Sequence, residues 1–213
     1  MIKKSVKNVR LFEIFDAKAQ KVFSGCNQKW FSTRWKRLSG CGPCVVSNII
    51  NYLNRSRSGE KVDDSPIQKS EIQALMEDVW EYVTPTMRGI PSTELLGTGI
   101  SSYIQAKDAG IELVFADIPE DKTKRPAFPD LLTFLSQALE ADTPLAFLVL
   151  NSGEEKRLDD WHWVTVIAIE FEEDGSVALV DIVDEGEIYR ANLHNWFFTT
   201  TLGGGFVGFN IKT

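Results

Sequence analysis

The hydrophobic positions of this chain change their period near Pro144. Before it they recur at helical spacing. Val45, Val46, Ile49, Ile50 and Leu53 share one face and predict a helix over 43–55. Pro43 is tolerated in its first turn, where the donor it lacks would have no partner. Ser70 and Glu71 open a second helix, with Ile72, Leu75, Met76, Val79 and Trp80 on one side. Thr93 to Lys107 reads as a third, with Gly110 as the glycine that ends it. A short strand over 111–116, a charged loop over 119–129 and a helix capped by Asp130 and running to Leu139 complete this part.

After Pro144 the pattern is that of strands: 145–150, 162–171, 177–183, 187–191 and 206–211. The run from His162 to Phe171 is apolar at nearly every position, as in a strand covered on both faces. Glu172-Glu173-Asp174-Gly175-Ser176 is a hairpin turn, and Gly203-Gly204-Gly205 a bend. Helices first and an antiparallel sheet second make an α+β chain. The remaining segments carry weaker signals. Leu11, Phe12, Ile14 and Phe15 fit either a short helix or a strand. Trp30, Phe31 and Trp35 read as an aromatic cluster on a loop, residues 56–67 as a polar loop, and Pro85 to Pro91 as a turn.

At 213 residues the chain fits one domain, 1–213, with a helical lobe over about 41–140 and a β lobe over about 144–213. A net charge of −7 argues against a nucleic-acid partner. The basic group Lys3, Lys4, Lys7 and Arg10 reads as a solvated end. No apolar stretch reaches the ~18–20 residues of a membrane span, and no apolar core follows the basic start. The expectation is therefore no signal peptide, no membrane partner and a cytoplasmic location. Three cysteines, an odd number, are too few for a disulfide scaffold.

Chemistry is concentrated in few residues, because the chain has only two histidines. Cys41 lies in Ser39-Gly40-Cys41-Gly42-Pro43-Cys44, just ahead of the first helix. A free thiol has a pKa of about 8.5, which a helix N-terminus or a neighbouring imidazolium lowers. The free backbone donors of that first turn, Cys41's own among them, suit an oxyanion. His162 opens a strand, in Trp161-His162-Trp163-Val164-Thr165-Val166, flanked by tryptophans expected on the opposite face. His194, in what reads as a surface turn, is the competing base. Asp181, at the end of Val177-Ala178-Leu179-Val180, is the acid expected to orient His162 across a hairpin, with Asp184 three residues on as the alternative. Trp161, Trp163 and Trp196 are candidates to wall a cleft.

Taken together, Gly40-Cys41-Gly42-Pro43 opening a helix, His162-Trp163-Val164-Thr165-Val166, and an apolar strand ending in Asp181 resemble the papain-like cysteine peptidases. Among them the resemblance is nearest to the bacterial branch similar to bacteriocin double-glycine leader peptidases. It covers about residues 26–211. It implies a papain-like fold, with the nucleophile at a helix N-terminus in the N-terminal helical part packed on the C-terminal antiparallel sheet. It implies Cys41 as nucleophile, His162 as base, Asp181 as orienter and an upstream glutamine at the oxyanion. It also implies a peptide or small amide substrate and thioester acyl transfer, with no cofactor and no metal. In papain that glutamine lies six residues before the cysteine, a position held here by Trp35. Gln28 is the nearest candidate.

Three alternatives stand beside this reading. Cys41-Gly42-Pro43-Cys44 also resembles the motif of thioredoxin-like oxidoreductases, although the segment ahead of it is too basic for a buried strand. Cys26, Cys41, Cys44 and His162 could supply four zinc ligands. A papain-like scaffold could also bind peptides without turnover. Cys44 is expected either to pack in the interior or to pair with Cys41. Oligomeric state is not legible in the sequence.

Overall fold

The computed structural model describes residues 1–57 and 63–211. Part of the predicted polar loop, 58–62, therefore lies outside the described residues. The chain begins with β1 (Ile2–Ser5), β2 (Glu13–Asp16) and β3 (Lys21–Ser24), followed by α1 (Arg34–Ser39) and α2 (Cys41–Ser56). Next come β4 (Ile67–Gln68), α3 (Lys69–Trp80), α4 (Thr93–Lys107), β5 (Ile111–Ile118) and α5 (Phe128–Glu140). The rest is β6 (Leu145–Val149), β7 (His162–Phe171), β8 (Ala178–Asp184), β9 (Glu187–Asn192), α6 (Leu193–Thr199) and β10 (Gly204–Ile211). Among the described residues no helix is long and apolar enough to cross a membrane.

The α+β expectation holds: the helices pack against a large antiparallel sheet. Its strands run β5-β10-β6-β7-β8-β9. β1 pairs with the far half of β7 (Ile2 opposite Phe171), beyond the reach of β6, whose Val149 lies opposite His162. The first strand thus joins a sheet whose other strands all come from the second half of the chain. A smaller sheet, β3-β2-β4, pairs two strands of the N-terminal segment with β4.

Several boundaries moved for local reasons. α4 is closed by Asp108 in the left-handed conformation (φ 50°) rather than by Gly110. α5 begins at Phe128 with Ala127 at its N-cap, so Asp130 lies in the first turn. There its carboxylate favours the positive end of the helix dipole instead of capping it. α3 carries a reciprocal cap between Gln68 and Glu71. The segment around His194 is not a surface turn but α6, capped by the Asn192 side chain.

One buried side chain ties the three parts together. Asn48 of α2 accepts a hydrogen bond from the Cys26 backbone N–H (2.7 Å) and donates to Thr165 Oγ1 of β7 (3.2 Å). Next to it Gly25 adopts φ +86°, and a Cβ there would sit 2.2 Å from Val183 Cγ1. Only glycine lets the N-terminal segment pass this close to β8. Replacing Asn48 with alanine strands a buried amide N–H. The expected loss is about 1–3 kcal/mol, seen as a lower urea midpoint with an unchanged slope. An unchanged midpoint would contradict the role given to Asn48.

Candidate active site

Gly40 separates α1 from α2, so the helix carrying Cys41 starts abruptly after another helix. The α2 N-terminus has no side-chain cap, which leaves the Cys41 and Gly42 N–H groups uncapped. Gly42 allows a close approach: a Cβ there would meet Ile90 Cδ1 at 2.8 Å. The dithiol motif therefore follows a helix, not the buried strand that a thioredoxin-like arrangement needs.

His162 is the first residue of β7, and Asp184 is the last of β8. The two strands are antiparallel, so the start of one lies beside the end of the other. His162 Nε2 is 2.9 Å from Asp184 Oδ1, with both side chains largely buried. The Cys41 thiol lines the same small pocket as this ring and interacts with it electrostatically. Tyr189 Oη contacts the second Asp184 oxygen at 3.4 Å. Burial opposes a charged imidazole here. The Asp184 hydrogen bond and the Cys41 contact outweigh it, and the His162 pKa is raised from 6.5 to about 10.

The acid beside His162 is therefore Asp184, which corrects the expectation of Asp181. Residues three apart on a strand point to opposite faces. Asp181 sits directly across from Arg190 of β9, which holds it through Nε–Oδ1 (2.7 Å) and Nη2–Oδ2 (3.1 Å). The apolar run does not end at Asp181 but continues through Ile182 and Val183 to the Glu185-Gly186 turn. Both residues of that turn have positive φ. His194 is remote from this contact and packs edge-on against Phe128.

Gln28 lies in a short 3₁₀ turn, Gln28–Trp30, and lines the same small pocket as Cys41, His162 and Asp184. Its neighbours are clamped to the β8–β9 turn. Asn27 Nδ2 donates to the Glu185 carbonyl (2.7 Å), and Lys29 Nζ pairs with the Glu185 carboxylate (2.8 Å). The turn that ends the Asp184 strand thus also anchors the Gln28 segment. The residue at papain's glutamine position, Trp35, is on α1 and half exposed.

A cleft of about 240 Å³ opens on the other side of Cys41, with Leu148, Leu150 and Trp163 among its walls. Trp163 is buried and donates its indole N–H to the Ile90 carbonyl (2.8 Å), pinning the Thr86–Gly89 turn to β7. Trp161, expected on the strand face opposite His162 and as a wall of a cleft, precedes β7 and lines the cleft. It adopts φ +55°, rare for a bulky residue, and is 59% exposed there. Trp196 is fully buried, bonded to the Asn151 carbonyl, and does not line the cleft.

Cys26 and Cys44 are buried behind Cys41, and all three cysteines are free thiols. Burial pushes both buried thiols above the ordinary range. No group of three or more metal-ligating side chains occurs among the described residues.

No protein-family model and no curated protein matches this sequence. Among solved structures, UfSP from C. elegans matches with a TM-score of 0.54 at 10% identity, over 98% of this chain and 34% of that one. The chain spans about a third of UfSP's length. At this identity the likeness shows the fold, which is papain-like.

The raised His162 pKa has a consequence for stability. A group whose pKa is higher folded than unfolded stabilises the fold fully below the unfolded value and loses that contribution as pH rises through the folded one. For His162 the contribution is complete below pH 6.5 and fades as pH climbs through about 10. Asp184→Asn is expected to lower Tm by several degrees at the acidic end of this window and by much less at the alkaline end, measured by calorimetry. A pH-independent deficit would contradict the pairing.

Proposed function

We propose that the protein is a cysteine peptidase or amidohydrolase working by thioester acyl transfer. The observation that carries this is the juxtaposition at Cys41: a thiol at an uncapped helix N-terminus, beside an imidazole whose other nitrogen binds a carboxylate at 2.9 Å. The fold shared with UfSP, a cysteine protease, adds support. Kinship with the bacteriocin double-glycine leader peptidases is a finer proposal, supported by the sequence words around Cys41 and His162.

In this mechanism the Cys41 thiolate attacks an amide carbonyl while His162 is protonated. The Cys41 N–H and the Gln28 amide donate to the oxyanion. His162 Nδ1–H protonates the leaving amine, and the amide C–N bond breaks to leave a thioester on Cys41. Water, deprotonated by His162, then releases the acid and frees the thiol. Asp184 is a positioning residue that holds the ring and stabilises its charge. The leaving amine has to sit beside His162. The cleft lined by Cys41 but not His162 therefore suits the acyl portion of the substrate. Gln28 at the pocket also weakens the alternative of a peptide binder without turnover.

Iodoacetamide under mildly acidic conditions should alkylate the wild-type protein at Cys41 at least ~10-fold faster than His162→Ala, and Cys41→Ala should escape labelling. Equal labelling of Cys41→Ala would overturn the reading. Once a peptide substrate is found by library digestion, Gln28→Ala should lower kcat about 10²–10³-fold. Asp181→Asn should leave it within ~2-fold, as befits a surface substitution. A large loss in Asp181→Asn would contradict the assignment of Asp184.

A further inference from the structure

The mechanism leaves the second thiol of Cys41-Gly42-Pro43-Cys44 without a role. Cys41 and Cys44 stand three residues apart in the first turn of α2, on one face of the helix. Both line the small pocket that holds His162. From α-helix dimensions their Cα atoms lie ~5 Å apart, inside the ~4.4–6.8 Å that a disulfide spans. The Cβ atoms of such a pair start ~5–6 Å apart and must close to ~3.5–4.5 Å. Adjustment is easiest at this end of the helix. Cys41 is its first residue, has glycine on both sides, and is held by no side-chain cap. Cys44 is only 6% exposed, so an oxidant from solvent meets Cys41 first.

We propose that Cys44 is the resolving thiol of Cys41, and that a hydroperoxide converts the pair to an intrahelical disulfide that switches the nucleophile off reversibly. The Cys41 thiolate attacks the peroxide, the O–O bond breaks, and Cys41 becomes a sulfenic acid as the peroxide is reduced. The Cys44 sulfur then attacks the Cys41 sulfur. The S–O bond breaks, and the sulfenic hydroxyl leaves with the Cys44 proton as water. Two thiols lose two electrons, and one peroxide gains them. The disulfide occupies the sulfur that would attack a carbonyl, and it spares Cys41 the irreversible sulfinic state. Cys26 is the rival partner, because it is buried in the same pocket. It comes from a separate segment, however, whose backbone N–H is fixed to Asn48.

The inference rests on the nucleophilic thiol of the proposed function but not on hydrolysis, so mass and labelling test it directly. Purified protein is treated with about one equivalent of hydrogen peroxide, then analysed by intact mass, peptide mapping and iodoacetamide labelling of Cys41, before and after dithiothreitol. Wild type should become ~2 Da lighter, with a Cys41–Cys44 cross-link, lose at least ~10-fold in labelling, and recover fully with dithiothreitol. Cys44→Ser and Cys44→Ala should keep basal labelling and, under repeated peroxide, gain ~32 Da without recovery. A wild type that gains ~32 Da with no cross-linked species overturns the proposal, as does a cross-link that persists in Cys44→Ala through Cys26. Failure of every peptide to be hydrolysed, with the cross-link present, would count against the hydrolase and leave the switch standing.

Discussion

The hydrogen bond between His162 and Asp184 organises this molecule. It joins the first residue of one strand to the last residue of its antiparallel neighbour, at the edge where α2 begins. A largely buried imidazole would ordinarily lose its proton. Here the Asp184 carboxylate stabilises the protonated imidazole, and the ring stays charged far above its usual range. Asp184 is held in turn. Its strand closes in a Glu185-Gly186 turn that receives Asn27, Lys29 and the Ser24 N–H. The segment bearing Gln28 and the strand bearing Asp184 therefore keep their places together.

The second constraint is the packing of α2 on β7. Asn48 spans the two elements in the interior, and the helix meets the loop at Ile90 through a glycine. Trp163 secures that loop from the strand side. The same short stretch of β7 thus presents His162 to the thiol and fixes one wall of the neighbouring cleft. The left-handed turn at Trp161 separates these duties. It leaves the Trp161 ring exposed at the cleft while the next residue lines the pocket.

Much of this was legible in the chain. Helical spacing at Val45 to Leu53 and the long apolar run from His162 located α2 and β7 closely, because each face must be buried whatever surrounds it. With two histidines available, the position of His162 at a strand start singled it out. The acid was harder to find. Asp181 and Asp184 both end apolar runs, and choosing between them needs strand parity and the position of the turn. Arg190, the partner that claims Asp181, stands across a hairpin whose register depends on Glu185 and Gly186 both adopting positive φ. The α1 helix and the Trp161 conformation left no periodic signal. The first is only six residues long, and the second is imposed by tertiary packing.

A charged His162 between a thiol and the Asp184 carboxylate is the centre of the proposed chemistry. Because the chain has two histidines, ¹⁵N-detected imidazole NMR can follow each ring through a pH titration, with His162→Gln supplying the assignment. One ring should remain protonated through neutral pH and titrate toward about 10, and Asp184→Asn should shift that titration strongly downward. A His162 ring that titrates near 6.5 and ignores Asp184→Asn would contradict this pairing.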